Sequence, residues 1–524
     1  MNKSRVKNLL FYFSLVLIAM AAFMFLGADE YVLFDDSGSY INMERYMEGV
    51  MPVYPLFLRL NRVLLGETNY LYAVVVEQAV FACVCMIAFT HLIRRQFSLK
   101  YWQCYCVFLL LLLPFTTDMP MAMTTQEILT EGVAYAAYYL FMALFLKAAW
   151  TKHFRYVLIL FIVTLFLSSL RSQLQILFGA CGIIFFYIAF MGRQAEQKRS
   201  ASIRIIAGLV GCICISIAGV WCTSKVSIAY QEMVERHVYN LKLAEKQAIQ
   251  PEQASQSEQA DQPEQDSQSE QTEDSEAVEE TVPEYQSKAK TSQYTSLIFA
   301  RGMYEADYED YLLFEDEQMQ QLFLQLYETA KQNESLYTYA EPGLWMWRDI
   351  VNGIGASGSE CFQTLAVFYN NIPEIAESNG RNHIWNESAK TIGMTLLKEH
   401  IGRFLYHTLI MLPQAFICTV FFQIERIYLL CHLVTLFLYI TAIALMIWAY
   451  ADRKVDKAYG EFMAAVLGIN LIMIFVLSLV FFGQQRYLVY NFGIFYVSYF
   501  LLVLQLWEIY GKNWLKRWTN RKES

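Results

Sequence analysis

KSRVKNLLFYFSLVLIAMAAFMFLG, residues 3–27, is the stretch on which the fold turns: a basic flank of Lys3, Arg5 and Lys7, then an unbroken apolar run from Leu9 to Gly27. Such a run matches the length that a helix needs to cross the hydrocarbon layer of a bilayer. It has the order of a secretory signal, but no small-residue cleavage site such as A-x-A closes it, so it reads as a retained anchor. A basic flank stays on the cytoplasmic side. The segment that follows, residues 28–70, is therefore expected outside.

Working outward from this run, the 524 residues are 56% hydrophobic and 16% aromatic, and the apolar residues come in blocks rather than helical stripes. Blocks are how lipid-facing helices read, so the pattern argues against a soluble multidomain protein. Further spans are expected near 71–91, 102–117, 131–150, 156–170, 174–191 and 204–222, and again at 426–449, 460–482 and 491–509. Alternate loops carry the basic residues: Arg94, Arg95 and Lys100, then Lys152, His153 and Arg155, then Arg193, Lys198, Arg199 and Arg204. Those loops are expected inside.

One apolar stretch, 401–423, is decided by parity. If it crossed, Arg453, Lys454 and Lys457 and the tail residues Lys512, Lys516, Arg517, Arg521 and Lys522 would all lie outside, against the charge rule. It is read instead as a helix at the outer interface, with His400, Arg403 and His407 at headgroup level. The expectation is an all-α membrane protein of about ten transmembrane helices, multi-pass in the cytoplasmic (plasma) membrane. Both termini are then cytoplasmic and the large loops lie outside.

The net charge of −9 comes from one place, because residues 251–280 hold eleven acidic side chains and no Lys or Arg. There PEQASQSEQADQ (251–262) is followed by PEQDSQSEQTED (263–274), a direct repeat almost without apolar residues. Such a composition cannot bury a core and reads as a disordered, self-repelling tether. The organisation expected is an N-terminal membrane domain (1–222) with its first outer loop (28–70), an outer helical segment (223–250) and the acidic tether (251–292). A helical extracytoplasmic cap (293–400) follows, then the interfacial helix and C-terminal membrane domain (401–524). Ten of the eleven cysteines lie in or beside apolar segments, Cys361 being the exception, so neither a disulfide framework nor a CxxC metal site is indicated. Scattered histidines without HExxH spacing argue against zinc, and the absence of a Walker loop or GxGxxG against a bound nucleotide. No basic stripe with interleaved aromatics suggests nucleic acid.

The first outer loop, ADEYVLFDDSGSYINMERYMEGVMPVYPLFLRLNRVLLGE (28–67), holds seven carboxylates against three arginines. Locally, Asp35-Asp36-Ser37-Gly38 has the form of a turn and helix N-cap. Its wider pattern is Asp36, Tyr40, Gly49, Tyr54-Pro55-Leu56 and Leu65-Gly66 directly after a first span. That pattern resembles the first outer loop of the GT-C membrane glycosyltransferases, a superfamily that includes the protein O-mannosyltransferases. The resemblance covers the membrane domain by order and topology, about 9–222 and 400–510, and not the tether.

The resemblance implies a catalytic acidic residue in this loop, at Asp36 or Asp35, with Asp29-Glu30 matching an acidic dipeptide that some members carry nearer the span. Leu129-Thr130-Glu131-Gly132 looks like the small-residue-Glu motif at a helix's outer end, although Thr124-x-x-Glu127 also has the form of a capping box and Glu131 suits a helix N-terminus without any further role. Gln485-Arg486-Tyr487 is similar to the Arg-Tyr placed near the carrier phosphate, and equally to a snorkelling Arg with an interfacial Tyr. Arg171, basic on the outer side, is a second phosphate candidate. Glu77-Gln78 lies inside the second span, where a carboxylate needs a partner or a cavity.

The activity so implied is inverting transfer of a hexosyl or pentosyl group from a polyprenyl-phosphate carrier to an acceptor on the outer face. The acceptor is a glycan, a lipid or a protein, and the site serves the cell envelope. Membrane lipid is the only other partner expected; no cofactor is, although a divalent cation occurs in the superfamily. A transporter or lipid flippase is the alternative, with Glu77 and Arg171 as pathway charges, yet no internal symmetry of two halves is visible. A receptor whose cap binds a partner would not need an acidic loop against the membrane. The discriminating observation is whether Asp36, Glu131, Arg171 and Arg486 converge.

Overall fold

The computed structural model describes residues 3–25, 31–34, 37–41, 51–116, 126–191, 201–257, 293–339, 385–417, 419–420, 428–480 and 488–511. Among these the chain is helical apart from turns and one isolated bridge. Eight helices are long and apolar enough to cross a membrane: Arg5–Met24, Tyr70–Phe97, Thr130–Thr151, Ser172–Phe190, Ile205–Leu241, Leu430–Ala451, Lys457–Leu479 and Val489–Gly511. Shorter apolar helices lie at Tyr101–Phe115, Phe154–Leu170 and Ile401–Leu412. This is the architecture of a multi-pass, all-α membrane protein.

The elements are α1 (Lys3–Phe25), α2 (Ser37–Ile41), α3 (Val53–Leu65), α4 (Tyr70–Phe97), α5 (Tyr101–Thr116), α6 (Thr130–Thr151), α7 (Phe154–Leu170), α8 (Leu177–Met191) and α9 (Ala201–Ser257). They continue with α10 (Gln293–Tyr304), α11 (Glu317–Gln332), α12 (Trp385–Glu399), α13 (Ile401–Ile417), α14 (Tyr428–Ala451), α15 (Lys457–Val480) and α16 (Phe492–Leu506). One continuous core takes side chains from α1, α3–α8 and α13–α16.

The bundle has two unlike ends. At one, the basic end, α4 and α6 stop at residues in the left-handed conformation, Ser98 (φ 52°) and Lys152 (φ 54°), whose N–H groups turn back to Arg94 O and Ala148 O. The chain then reverses within two or three residues. Arg94, Arg95 and Lys152 thus sit where carbonyls gather at helix C-termini, and these cations complement the helix dipoles. Anchoring of α1 is polar as well as apolar there: Tyr12 pairs with His91, and Asn8 Oδ1 accepts from Arg94 (3.1 Å) and Tyr101 (2.9 Å).

The opposite end, the loop end, gathers α2, α3 and the segment before α6. A parallel bridge joins Val32 to Glu127, with Val32 N–H donating to Gln126 O and Ile128 N–H to Val32 O, both at 3.0 Å. Past the bundle, α9 runs on along this side, where Tyr230 and Val234 are buried against Tyr40. It continues to Ser257, seven residues into the segment read from sequence as tether; residues 258–292 lie outside the described ones.

Helices α10, α11 and α12 form a separate small core of Phe299, Met303, Leu322, Phe323, Leu326, Ile392 and Leu396. Crossing of α10 and α12 depends on two glycines: a Cβ on Gly302 would meet the Gly393 backbone at 2.7 Å, and one on Gly393 the Ile298 carbonyl at the same distance. Buried charges then join this cap to α13. Arg301 donates to Glu305 Oε1 (2.8 Å), Phe404 O (3.3 Å) and Thr408 Oγ1 (3.4 Å), while His407 pairs with Glu305 Oε2 (2.7 Å).

Candidate functional site

Helices α6 and α7 are antiparallel neighbours with a two-residue turn at the basic end, so the start of one and the finish of the other meet at the loop end. Glu131 occupies the first turn of α6 and Arg171 directly follows α7. Each charge lies at the helix end whose dipole favours it. The two side chains form an ion pair, 10% exposed for Arg171 and 6% for Glu131. A buried pair is held only where hydrogen bonds add to the Coulomb attraction, and Glu131 Oε2 also accepts from Thr130 Oγ1 at 2.9 Å.

Beside the pair runs a chain of neutral donors. Tyr54 of α3 donates to Gln78 Oε1 of α4 (3.0 Å), and Gln78 Nε2 donates to the carbonyl of Glu127 (3.1 Å), the residue bridged to Val32. Tyr54 is fully buried, and Tyr40 stands edge-on to its ring at 5.5 Å. Burial, then Tyr40 and the carboxyl groups of Glu131 and Glu127, hold the Tyr54 phenol well above its ordinary pKa. It is therefore a permanent O–H donor. Tyr40 in turn packs on Tyr230 and Val234, so α9 closes the cluster from outside.

Ser37 fixes the loop between α1 and α4 onto this frame. Its hydroxyl donates to Ile128 O (3.0 Å) and accepts from Phe34 N–H (2.9 Å), and the residue is 1% exposed. On the other flank the turn after Arg171 is tied to the last span, Gln173 Nε2 donating to Tyr490 at 3.4 Å. From there Tyr138 of α6 donates to Asn491 Oδ1 (2.8 Å). Ser168 and Thr223 hydroxyls, 3.1 Å apart, fasten α7 to α9 just below.

The structure therefore brings together two of the residues nominated from sequence, Glu131 and Arg171. Asp29, Glu30, Asp35, Asp36, Arg486 and Tyr487 lie outside the described residues, as does Thr124 of the capping-box reading. Glu77 is not part of the cluster; it accepts from Asn61 Nδ2 (2.9 Å) and so fastens α3 to α4. The partner that α4 contributes is its neighbour Gln78, which sequence reading left beside Glu77 without a role of its own. A signal was present: Val74, Gln78, Ala82, Cys85 and Met86 follow helical spacing and share the buried face, whereas Glu77 falls off it. Tyr54 had no such signal beyond its place in the loop pattern. Among the described residues no group of three His, Cys, Asp or Glu is placed to hold a metal.

What the arrangement offers chemically is a fixed cation, a fixed anion and neutral hydrogen-bond donors at one end of an apolar bundle. Comparison with known proteins finds no matching family model, no matching curated protein and no matching solved structure.

Proposed function

We propose that this chain is a glycosyltransferase of GT-C type with ten membrane crossings, the eight long helices together with α5 and α7. It would move a sugar from a polyprenyl-phosphate carrier to an acceptor on the outer face of the cytoplasmic membrane, the loop end of the bundle. The observation that carries this reading is the buried Glu131–Arg171 pair lying under the first outer loop, whose Ser37 is anchored to the chain just before Glu131. A cation buried at that cost, at the end of the bundle that the charge rule otherwise keeps poor in basic residues, is suited to an anionic ligand.

The roles follow from the groups. Asp36, joined to Ser37 by one peptide bond, or its neighbour Asp35, takes the acceptor hydroxyl proton as the sugar leaves the phosphate. Asp29 and Glu30 are supporting acids of the same loop. Arg171 and Arg486, with Tyr487, bind the departing phosphate through charge-assisted hydrogen bonds, stabilising charge that develops in the transition state. Glu131 orients Arg171. A guanidinium has five N–H donors, enough to serve both a carboxylate and a phosphate.

Asp36→Asn tests the reading, because Asn caps a helix as well as Asp does but cannot accept a proton. Transfer is expected to fall about 10²-fold or more with the protein at normal abundance. The assay is complementation of a deletion strain scored by its surface glycans, with abundance checked by immunoblot. Full complementation by neutralised Asp36, Asp35, Asp29 and Glu30 alike would sink this mechanism.

A further inference from the structure

The two halves of α13 have different surroundings. In the first half Ile401, Leu405, Tyr406 and Leu409 are 50–62% exposed, with Ile401, Leu405 and Leu409 on one stripe at intervals of four. The other face of the same half is turned to the cap through Arg403, His407 and Thr408. In the second half Met411 and Ala415 are buried, and Phe416 lies on Tyr439 with ring centres 4.3 Å apart. Beyond the helix, Thr419 and Val420 have no exposure at all.

Tyr439 sets the depth. It is the twelfth of the 24 residues of α14, and its hydroxyl lies 2.7 Å from that of Thr419. Tyr439 also accepts from Asn470 Nδ2 at 3.1 Å, and Asn470 is the fourteenth of the 24 residues of α15. The tip of α13 thus sits beside the middles of two spans. A helix lying flat at the headgroups would meet the loop end of α14 instead, about 16 Å away at the α-helical rise. A helix crossing completely would finish near the 452–456 turn, about 18 Å the other way.

Backbone that leaves the helical ladder at such depth persists only where protein or a cavity satisfies it. Here protein does. Tyr496 donates to Val420 O (2.7 Å), and Thr419 Oγ1 donates to Phe416 O (2.7 Å) while receiving from Tyr439. The chain of bonds extends through Asn470 Oδ1, which accepts from Asn491 Nδ2 (2.7 Å), to Tyr138, two turns along α6 from Glu131.

Which side α13 enters from is fixed by the cap. After Thr223 the chain emerges at the loop end, and no run between 223 and 400 is long and apolar enough to cross back. The cap therefore stands at the loop end, and α14 begins there too, since the α14–α15 turn is at the basic end. Eight peptide steps separate Val420 from Tyr428, a reach of about 28 Å that covers the return.

We infer that α13 is a re-entrant helix: it enters the membrane beside the cap, ends near mid-depth at Thr419–Val420, and returns to the side from which it came. It lies deeper than the flat interfacial position expected from sequence, yet adds no crossing, so the sidedness of Arg453 and of the basic tail is preserved. The lipid surface is its partner along Ile401, Leu405 and Leu409. None of this depends on the glycosyltransferase reading.

The test uses the full-length chain with its cysteines replaced and single cysteines introduced. Nitroxides at 405, 409 and 412 in liposomes are read by oxygen against a nickel chelate as depth probes, and an impermeant maleimide reports the side of 399 and 425. Depth is expected to increase progressively from 405 to 412, by up to about 10 Å, with 399 and 425 labelled from the same side. Equal depth at all three positions would mean a flat helix, and labelling of 399 and 425 from opposite sides a crossing; either overturns the inference.

Discussion

Among the described residues, charge is buried in two regions, in two different ways. At the joint between the cap and α13, three carboxylates each take two or more partners. Glu305 takes Arg301 on one oxygen and His407 on the other; Asp307 receives Arg403 on both oxygens (3.2 and 2.8 Å) and Tyr337 on one (2.8 Å); Asp310 takes His400 (2.8 Å) and the Asp307 N–H (2.8 Å). Arg403 also lies over the Tyr337 ring, 4.0 Å from its centre. At the loop end of the membrane bundle, Glu131 and Arg171 pair across the ends of two helices, beside the bonds that run from Tyr54 through Gln78 to the Glu127 carbonyl. The first arrangement is cross-bracing. The second joins the ends of two membrane helices, and the functional proposal rests there.

Arg301→Met should give the largest effect on stability. It leaves Glu305, which has no exposed surface, short of its main counter-charge at the cap–α13 joint. Breaking a buried pair in this way costs about 3–5 kcal/mol. Limited proteolysis within 293–400 and thermal unfolding in detergent would show it as a cap that is cut early and melts first. Arg171→Met should leave cap protection unchanged while abolishing surface-glycan complementation. If both variants loosen the cap equally, the two regions are one structural unit and the distinction drawn above fails.

Tyr54→Phe should be milder. It removes the donor to Gln78 Oε1 and leaves that buried acceptor to find another partner, at a cost of about 1–3 kcal/mol. Gln78→Met in the same chain removes the acceptor as well, so the double variant should cost less than the sum of the two single ones. Strict additivity by thermal unfolding would mean that Tyr54 and Gln78 are not coupled and that the chain from α3 to the 126–129 segment is not a frame.

The helical architecture was legible because membrane helices announce themselves by length and composition. The positions of α4, α6, α14 and α15 follow from runs that nothing else explains. What sequence could not supply was depth and facing. Thr419, Tyr439, Asn470 and Asn491 are ordinary polar residues scattered over 73 positions, and only the packing shows that they join end to end. Equally, Glu77 drew attention because a carboxylate in a span is costly, while Gln78, one position on, faces inward and makes the contacts. Glu131 was nominated through the likeness of Leu129-Thr130-Glu131-Gly132 to a family motif, and Arg171 as a basic residue in a segment expected outside. That they meet depends on α6 and α7 being antiparallel neighbours, which the two-residue turn at Lys152-His153 ensures.

The smallest expected effect concerns pH and separates the two regions without any loss of packing. Partial burial pushes the Asp307 carboxyl up, but hydrogen bonds from Arg403 and Tyr337 and the charges of Arg403 and His400 outweigh it and hold the group below the ordinary carboxylate range. A carboxyl with a depressed folded-state pKa contributes stability that is complete above its unfolded value of about 4 and is lost as pH falls through the folded one. Because the Asp307 side chain is 37% exposed, solvent screening limits that contribution to about 1 kcal/mol or less. Cap protection from proteolysis, followed from pH 6 downward with an acid-active protease, should therefore hold steady to about pH 4 and weaken below it. Asp307→Asn should begin less protected and lose that component of the acid response, whereas Asp36→Asn should leave the curve unchanged. An Asp307→Asn curve that falls as steeply as the parent's would show that some other carboxyl fastens the cap to α13, and the Asp307–Arg403–Tyr337 network would then not be what distinguishes it from the loop end.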